Sequence, residues 1–80
     1  MSKVVLITGG SSGIGKTVGN FLITKGYKVY GSSRNPESVA NSSFPLVAID
    51  VRNNGSIQSA VAEVIAKEGR IDVLINNAGV

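Results

Sequence analysis

Along this chain, continuous apolar runs alternate with stretches whose apolar residues recur three and four positions apart. Val4-Val5-Leu6-Ile7 is unbroken and rich in β-branched side chains, the pattern of a strand buried on both faces, and a Gly/Ser cluster follows it. Ile14, Val18, Phe21 and Leu22 then fall at i, i+4, i+7 and i+8, which predicts an amphipathic helix over about 13–25 that ends at Gly26. Tyr27 to Ser33 predicts a second strand centred on Val29 and Tyr30. Asn35-Pro36-Glu37 has the chemistry of a cap followed by proline in a first helical turn, but Asn41-Ser42-Ser43 closes that segment after a turn or two at most. Leu46-Val47-Ala48-Ile49 predicts a third buried strand, ending in Asp50. From Asn53, a helix cap, Ile57, Val61, Val64 and Ile65 repeat the helical spacing until Gly69. Asp72-Val73-Leu74-Ile75 predicts a fourth strand.

The order is βαβ(α)βαβ, with connections of the length that parallel strands need. Right-handed crossovers then give an α/β architecture: a partial doubly wound parallel sheet, strand order 3-2-1-4, with helices on both faces. No repeat, low-complexity tract or linker divides residues 1–80, so they read as part of a single domain.

Composition narrows the chemistry. A chain of 80 residues can bury roughly 62% of its unfolded surface, a marginal core for independent stability. Without Cys or His, these residues can form neither a disulfide, a thiolate metal site nor a Ser-His-Asp triad. The net charge of +3 comes from scattered Lys and Arg with few aromatics between them, which argues against a nucleic-acid partner. No run approaches the ~20 apolar residues of a membrane span, and the first residues lack a signal-peptide core. A soluble, cytoplasmic protein is the expectation.

Chemistry concentrates in Thr8-Gly9-Gly10-Ser11-Ser12-Gly13-Ile14-Gly15-Lys16-Thr17, between the first strand and the first helix. Glycines there let the backbone turn tightly and approach a phosphate, and the helix N-terminus attracts its charge. Two motifs overlap. Gly10 to Thr17 fits the P-loop pattern G-x-x-x-x-G-K-[ST], with Asp50 after an apolar run as a Mg²⁺ ligand of an NTPase. Thr8, Gly9, Gly13 and Gly15 instead fit Thr-Gly-x-x-x-Gly-x-Gly.

The second pattern resembles the cofactor turn of the short-chain dehydrogenase/reductase family, and Asn76-Asn77-Ala78-Gly79 resembles that family's Asn-Asn-Ala-Gly segment. Glycine turn, Asp50 and Asn76-Asn77-Ala78-Gly79 stand in the family's order and spacing over essentially the whole chain, which favours it over the P-loop. The resemblance implies the N-terminal portion of a Rossmann-type NAD(P)-binding domain. It places Gly9, Ser11, Ser12, Gly13, Ile14 and Gly15 around the pyrophosphate, and makes Lys16 a surface charge. Asp50 would accept from the adenine amino group with the Val51 backbone beside it; Asn77, Ala78 and Gly79 would border the adenosine side. Thr8 and Asn76 would tie strands one and four together.

Where an NAD site would offer a carboxylate to the ribose, this chain has Ser32-Ser33-Arg34, so Ser33 and Arg34 point to the 2′-phosphate of NADP in preference to NAD. The family's reaction is hydride transfer between NADP(H) and an alcohol or carbonyl substrate, usually by homo-oligomers. Its catalytic Ser and Tyr-x-x-x-Lys would lie beyond Val80. Tyr27 and Tyr30 are read as packing residues, so residues 1–80 alone are expected to bind cofactor without turnover. A non-catalytic NADP-binding module is the alternative.

Overall fold

The computed structural model of the protein describes residues 3–9, 13–35, 42–50 and 52–76. Four strands, β1 (Val4–Thr8), β2 (Lys28–Ser33), β3 (Leu46–Ala48) and β4 (Val73–Asn76), form one sheet in the order β3-β2-β1-β4, every pairing parallel. Two helices, α1 (Gly13–Thr24) and α2 (Asn54–Glu68), connect them. The doubly wound α/β fold expected from the sequence is therefore present. The turn of helix expected after Asn35 falls largely on residues 36–41, outside the described residues.

Strand β1 runs through the centre with both faces covered. Val4 and Leu6 point to the α2 side, where they pack with Tyr30, Val47, Ile49, Ala60 and Val64. Val5 and Ile7 point the other way, onto Val29 and Phe44, with Val18 and Leu22 of α1 against them. Leu6 and Ile7 are fully buried, and each contributes about 1.5–3 kcal/mol from burial. The continuous apolar run is thus the consequence of a strand with no solvent face.

The predicted face of α1 needs correction. Ile14 is 73% exposed and Phe21 58% exposed, while Gly15 and Gly19 are the buried positions and Val18 and Leu22 are half-buried. The reason is steric: a Cβ on Gly19 would lie 2.5 Å from Cε2 of Phe44, so the glycine lets the helix backbone settle against that ring. Phe21 is turned outward, its ring beneath the Lys25 ammonium at 5.4 Å. In α2, Ala60 and Val64 are buried with Ile57 and Val61 beside them, but Ile65 is exposed.

Caps fix the helix ends. Asn53 adopts an extended backbone and its side chain accepts the N–H groups of Gly55 and Ser56, which makes it the N-cap of α2. Gly69, at φ 86°, closes that helix by donating to the Ile65 carbonyl. Gly26, at φ 90°, ends α1, and the Tyr27 N–H returns to the Leu22 carbonyl at 3.1 Å.

Two further contacts hold the layers in register. Tyr30 is buried on the α2 side, and its phenol donates to Glu68 Oε2 at the end of α2. At the start of β4, the Asp72 N–H donates to the Val4 carbonyl and the Val4 N–H donates to Asp72 Oδ2, each at 2.8 Å. Strand β4 is a sheet edge, as expected from its place in the order, and leaves Val73 and Leu74 exposed.

Candidate cofactor-binding edge

Because all four strands are parallel, their carboxyl ends lie along one edge. Thr8, Ser33, Ala48 and Asn76 end the strands there, Thr8 in register with Asn76 and Ser33 with Ala48, while β2 runs one residue further than β1. Chain connections leave β1 for β2 on one side and reach β4 on the other, so the strand order reverses between β1 and β4. Ligands of open α/β sheets bind in the crevice at such a reversal. Thr8 and Asn76 face each other across it: the Thr8 hydroxyl lies 3.1 Å from Asn76 Oδ1 and 3.3 Å from the Ile75 carbonyl. These contacts support the structural role expected for the pair.

The glycine turn opens directly from β1. Gly9 takes φ 71° and Gly13 φ 59°, left-handed conformations that L side chains rarely adopt. A Cβ on Gly13 would meet nothing within 4 Å, so open space lies beside the backbone where α1 begins. Gly15 is buried one residue beyond the exposed Ile14. Lys16 is exposed on the first turn, and the Thr17 hydroxyl donates to the Gly13 carbonyl at 3.2 Å. Thr17 thus bonds back to the first residue of its own helix.

At the end of β2, Ser33 is half-buried and its Oγ accepts the Asn35 N–H at 3.3 Å. Arg34 is exposed beside it. Beyond β3, Asp50 is held by a local turn: its Oδ1 accepts the Arg52 N–H at 3.0 Å and Arg52 Nε at 3.1 Å, while Oδ2 accepts the other guanidinium nitrogen at 3.2 Å. Its own N–H donates to Ser56 Oγ. The Arg52 hydrogen bonds hold the Asp50 carboxyl below the ordinary carboxylate range, and the Arg34 charge adds to the effect. Arg34 and Asp50 thus share one electrostatic neighbourhood although 16 positions separate them.

Gly9, Gly13, Ile14, Gly15, Ser33, Arg34 and Asp50 accordingly gather along the carboxyl edge and the α1 N-terminus. Ser11, Ser12, Val51, Asn77, Ala78 and Gly79 lie outside the described residues. Two residues at this edge escaped the sequence reading. Arg52 pairs with Asp50, a contact two positions away that a charge pattern could have suggested. Ser32 is 2% exposed, the buried polar residue among those described, and its Oγ accepts the Gly9 N–H at 2.9 Å. Nothing in the sequence marks it out, because a serine between Gly31 and Ser33 reads equally as an exposed strand-end residue.

Comparison with known proteins agrees with this geometry. A 3-ketodihydrosphingosine reductase of Bacteroides thetaiotaomicron is 46% identical over 78 residues, covering 96% of this chain and 28% of that protein. A 3-oxoacyl-(acyl-carrier-protein) reductase of Salmonella typhimurium is 34% identical, covering 98% of this chain and 34% of its own length. Among solved structures, the aldohexose dehydrogenase of Thermoplasma acidophilum superimposes with a TM-score of 0.89 at 30% identity, over 99% of this chain and 30% of that one. An actinorhodin polyketide ketoreductase with NADPH gives 0.84 at 32% identity, over 99% and 34%. The chain therefore spans about a third of the length of the relatives it matches. Since the family model described as short chain dehydrogenase also matches residues 3–80, nearly the whole sequence, the chain belongs to the short-chain dehydrogenase family.

Proposed function

We propose that residues 1–80 form the adenosine- and pyrophosphate-binding portion of an NADP(H)-dependent short-chain oxidoreductase. The observation that carries the reading is the carboxyl edge itself. The exposed Gly13 at the start of α1, the exposed Arg34 after β2 and the acceptor Asp50 after β3 each follow a strand that ends at this edge. These residues fit a phosphorylated dinucleotide. The Gly9–Gly15 turn would take the pyrophosphate, Asp50 the adenine amino group, and Ser33 with Arg34 the 2′-phosphate. Ser11, Ser12, Val51, Asn77, Ala78 and Gly79 belong to the same proposed site. A carboxylate at position 34 would repel the 2′-phosphate, whereas a guanidinium forms charge-assisted hydrogen bonds with it. The ketoreductase solved with NADPH lends support to that choice.

When bound, the nicotinamide would supply or accept the hydride exchanged with an alcohol or carbonyl substrate. In this reading the residues of the edge bind and orient the cofactor, and among the described residues none is placed to move a proton. Tyr30 is buried under α2 and its phenol is committed to Glu68. Cytoplasmic action as a homo-oligomer belongs to the same reading.

Titration of the full-length protein with NADPH and NADH tests it. Tighter binding of NADPH is expected, with the preference lost or reversed in Arg34→Asp. Equal affinities, or an unchanged preference in that variant, would refute the NADP assignment.

A further inference from the structure

We propose that Ser32 is a positioning residue that fixes the glycine turn relative to the 2′-phosphate subsite, an inference that rests on the dinucleotide reading above. Its basis is an irregularity in the ladder between β1 and β2. The two strands pair in parallel from Val4↔Lys28 to Ile7↔Gly31, and the Lys28 N–H donates to the Lys3 carbonyl. Parallel ladders repeat every two residues. Counting on from that bond brings the Gly9 N–H opposite the Ser32 carbonyl. The Gly9 N–H instead donates to the Ser32 side chain, Oγ at 2.9 Å.

The bond falls where the chain leaves the sheet: the Gly9 N–H still points at β2, while Gly9 itself turns the chain away at φ 71°. A side-chain acceptor, displaced from the β2 backbone, keeps a bond to the turn after the strand has ended. Ser32 is 2% exposed, so little water competes for this contact. The residue then faces two ways. Through its side chain it holds the first glycine of the pyrophosphate turn, and through its backbone it leads directly into Ser33 and Arg34. The separation of the two phosphate subsites is thereby set by one short side chain.

A device of this kind has a signature that general destabilisation lacks. It matters only to ligands that engage both subsites at once. In the full-length protein, Ser32→Ala is expected to weaken 2′-phospho-ADP-ribose about tenfold while changing affinity for adenosine 2′-phosphate less than about twofold. Ser32→Thr, which keeps the hydroxyl, is expected to restore most of the loss. Exchange of the Gly9 amide is expected to quicken in Ser32→Ala and slow again in Ser32→Thr. If Ser32→Ala does not fold, Ser32→Cys, of similar shape but a weak acceptor, is read in the same way.

Parallel weakening of both ligands, or no change in either, would overturn the positioning role while leaving the cofactor reading intact. Wild-type protein that binds neither ligand would instead overturn the dinucleotide reading, and this inference with it.

Discussion

Tyr30→Phe removes one oxygen from the buried layer between β2 and α2, and its effect can be worked out at two pH values. At neutral pH the phenol donates to the Glu68 carboxylate, and hydrogen bonds to charged groups contribute about 1.5–3 kcal/mol. Glu68 keeps some water and a Lys28 ammonium at 3.9 Å, its side chain being 21% exposed, so a loss near 1.5 kcal/mol is expected. The second effect concerns alkaline pH. The hydrogen bond to Glu68, then burial, then the charges of Glu68 and Glu63 push the Tyr30 phenol up from 10.0 to about 12. The folded state therefore holds this proton more tightly than the unfolded chain. The associated stability is complete below pH 10.0 and is lost as pH rises towards about 12. Two units correspond to about 2.7 kcal/mol at the upper end of that window.

Together these magnitudes predict that the advantage of wild type over Tyr30→Phe shrinks above pH 10.0 and that the two stability curves meet near about pH 11. Urea unfolding of both proteins across the alkaline range measures the difference directly, since titrations common to both cancel. A gap that stays constant through that range would refute the reasoning, because it would mean that the phenol proton is held no differently in the two states.

Gly19→Ala should destabilise the fold by about 1–2 kcal/mol, because overpacking against Phe44 outweighs a gain of about 1 kcal/mol in helix propensity. Adding Phe44→Leu should recover part of that loss in thermal melts, and a stabilising Gly19→Ala would count against the close approach. Asn53→Ala removes the acceptor for the Gly55 and Ser56 N–H groups and should cost about 1 kcal/mol, read as a lower unfolding midpoint. Arg70 first, and the Val4 N–H second, hold the Asp72 carboxyl below the ordinary carboxylate range. A depressed folded value means that the stability is present above the unfolded pKa of about 4 and is lost as pH falls through the lower folded value. Asp72→Asn should therefore show a shallower acid destabilisation than wild type, and identical acid limbs would refute the assignment.

The strands were legible from their continuous apolar runs, which in β1 reflect cover on both faces and in β4 persist although Val73 and Leu74 are exposed, and the helix ends because Asn53, Gly26 and Gly69 carry the chemistry of caps. The face of α1 was not. Periodicity counts side chains, and the positions this helix buries most deeply, Gly15 and Gly19, have none. The glycine turn and Asp50 could be placed at one edge from strand order alone. The hold of Ser32 on Gly9 could not, since a serine in a strand reads equally as an exposed edge residue. The pairing of Asp50 with Arg52 likewise depends on a turn geometry that spacing leaves open.

The contacts between β1 and β4 have a consequence for chain geometry. Val4 meets Asp72 at one end and Thr8 meets Asn76 at the other, and the interval is four residues on each strand, about 13 Å. The two clamps thus act as matched marks on two rulers laid side by side. Sliding β4 by one residue would misalign both marks at once and turn its inward side chains outward. An insertion or deletion inside either strand could satisfy one clamp only by breaking the other. Whatever follows Asn76 is therefore delivered to the sheet end at a height measured from Thr8, the residue from which the glycine turn departs.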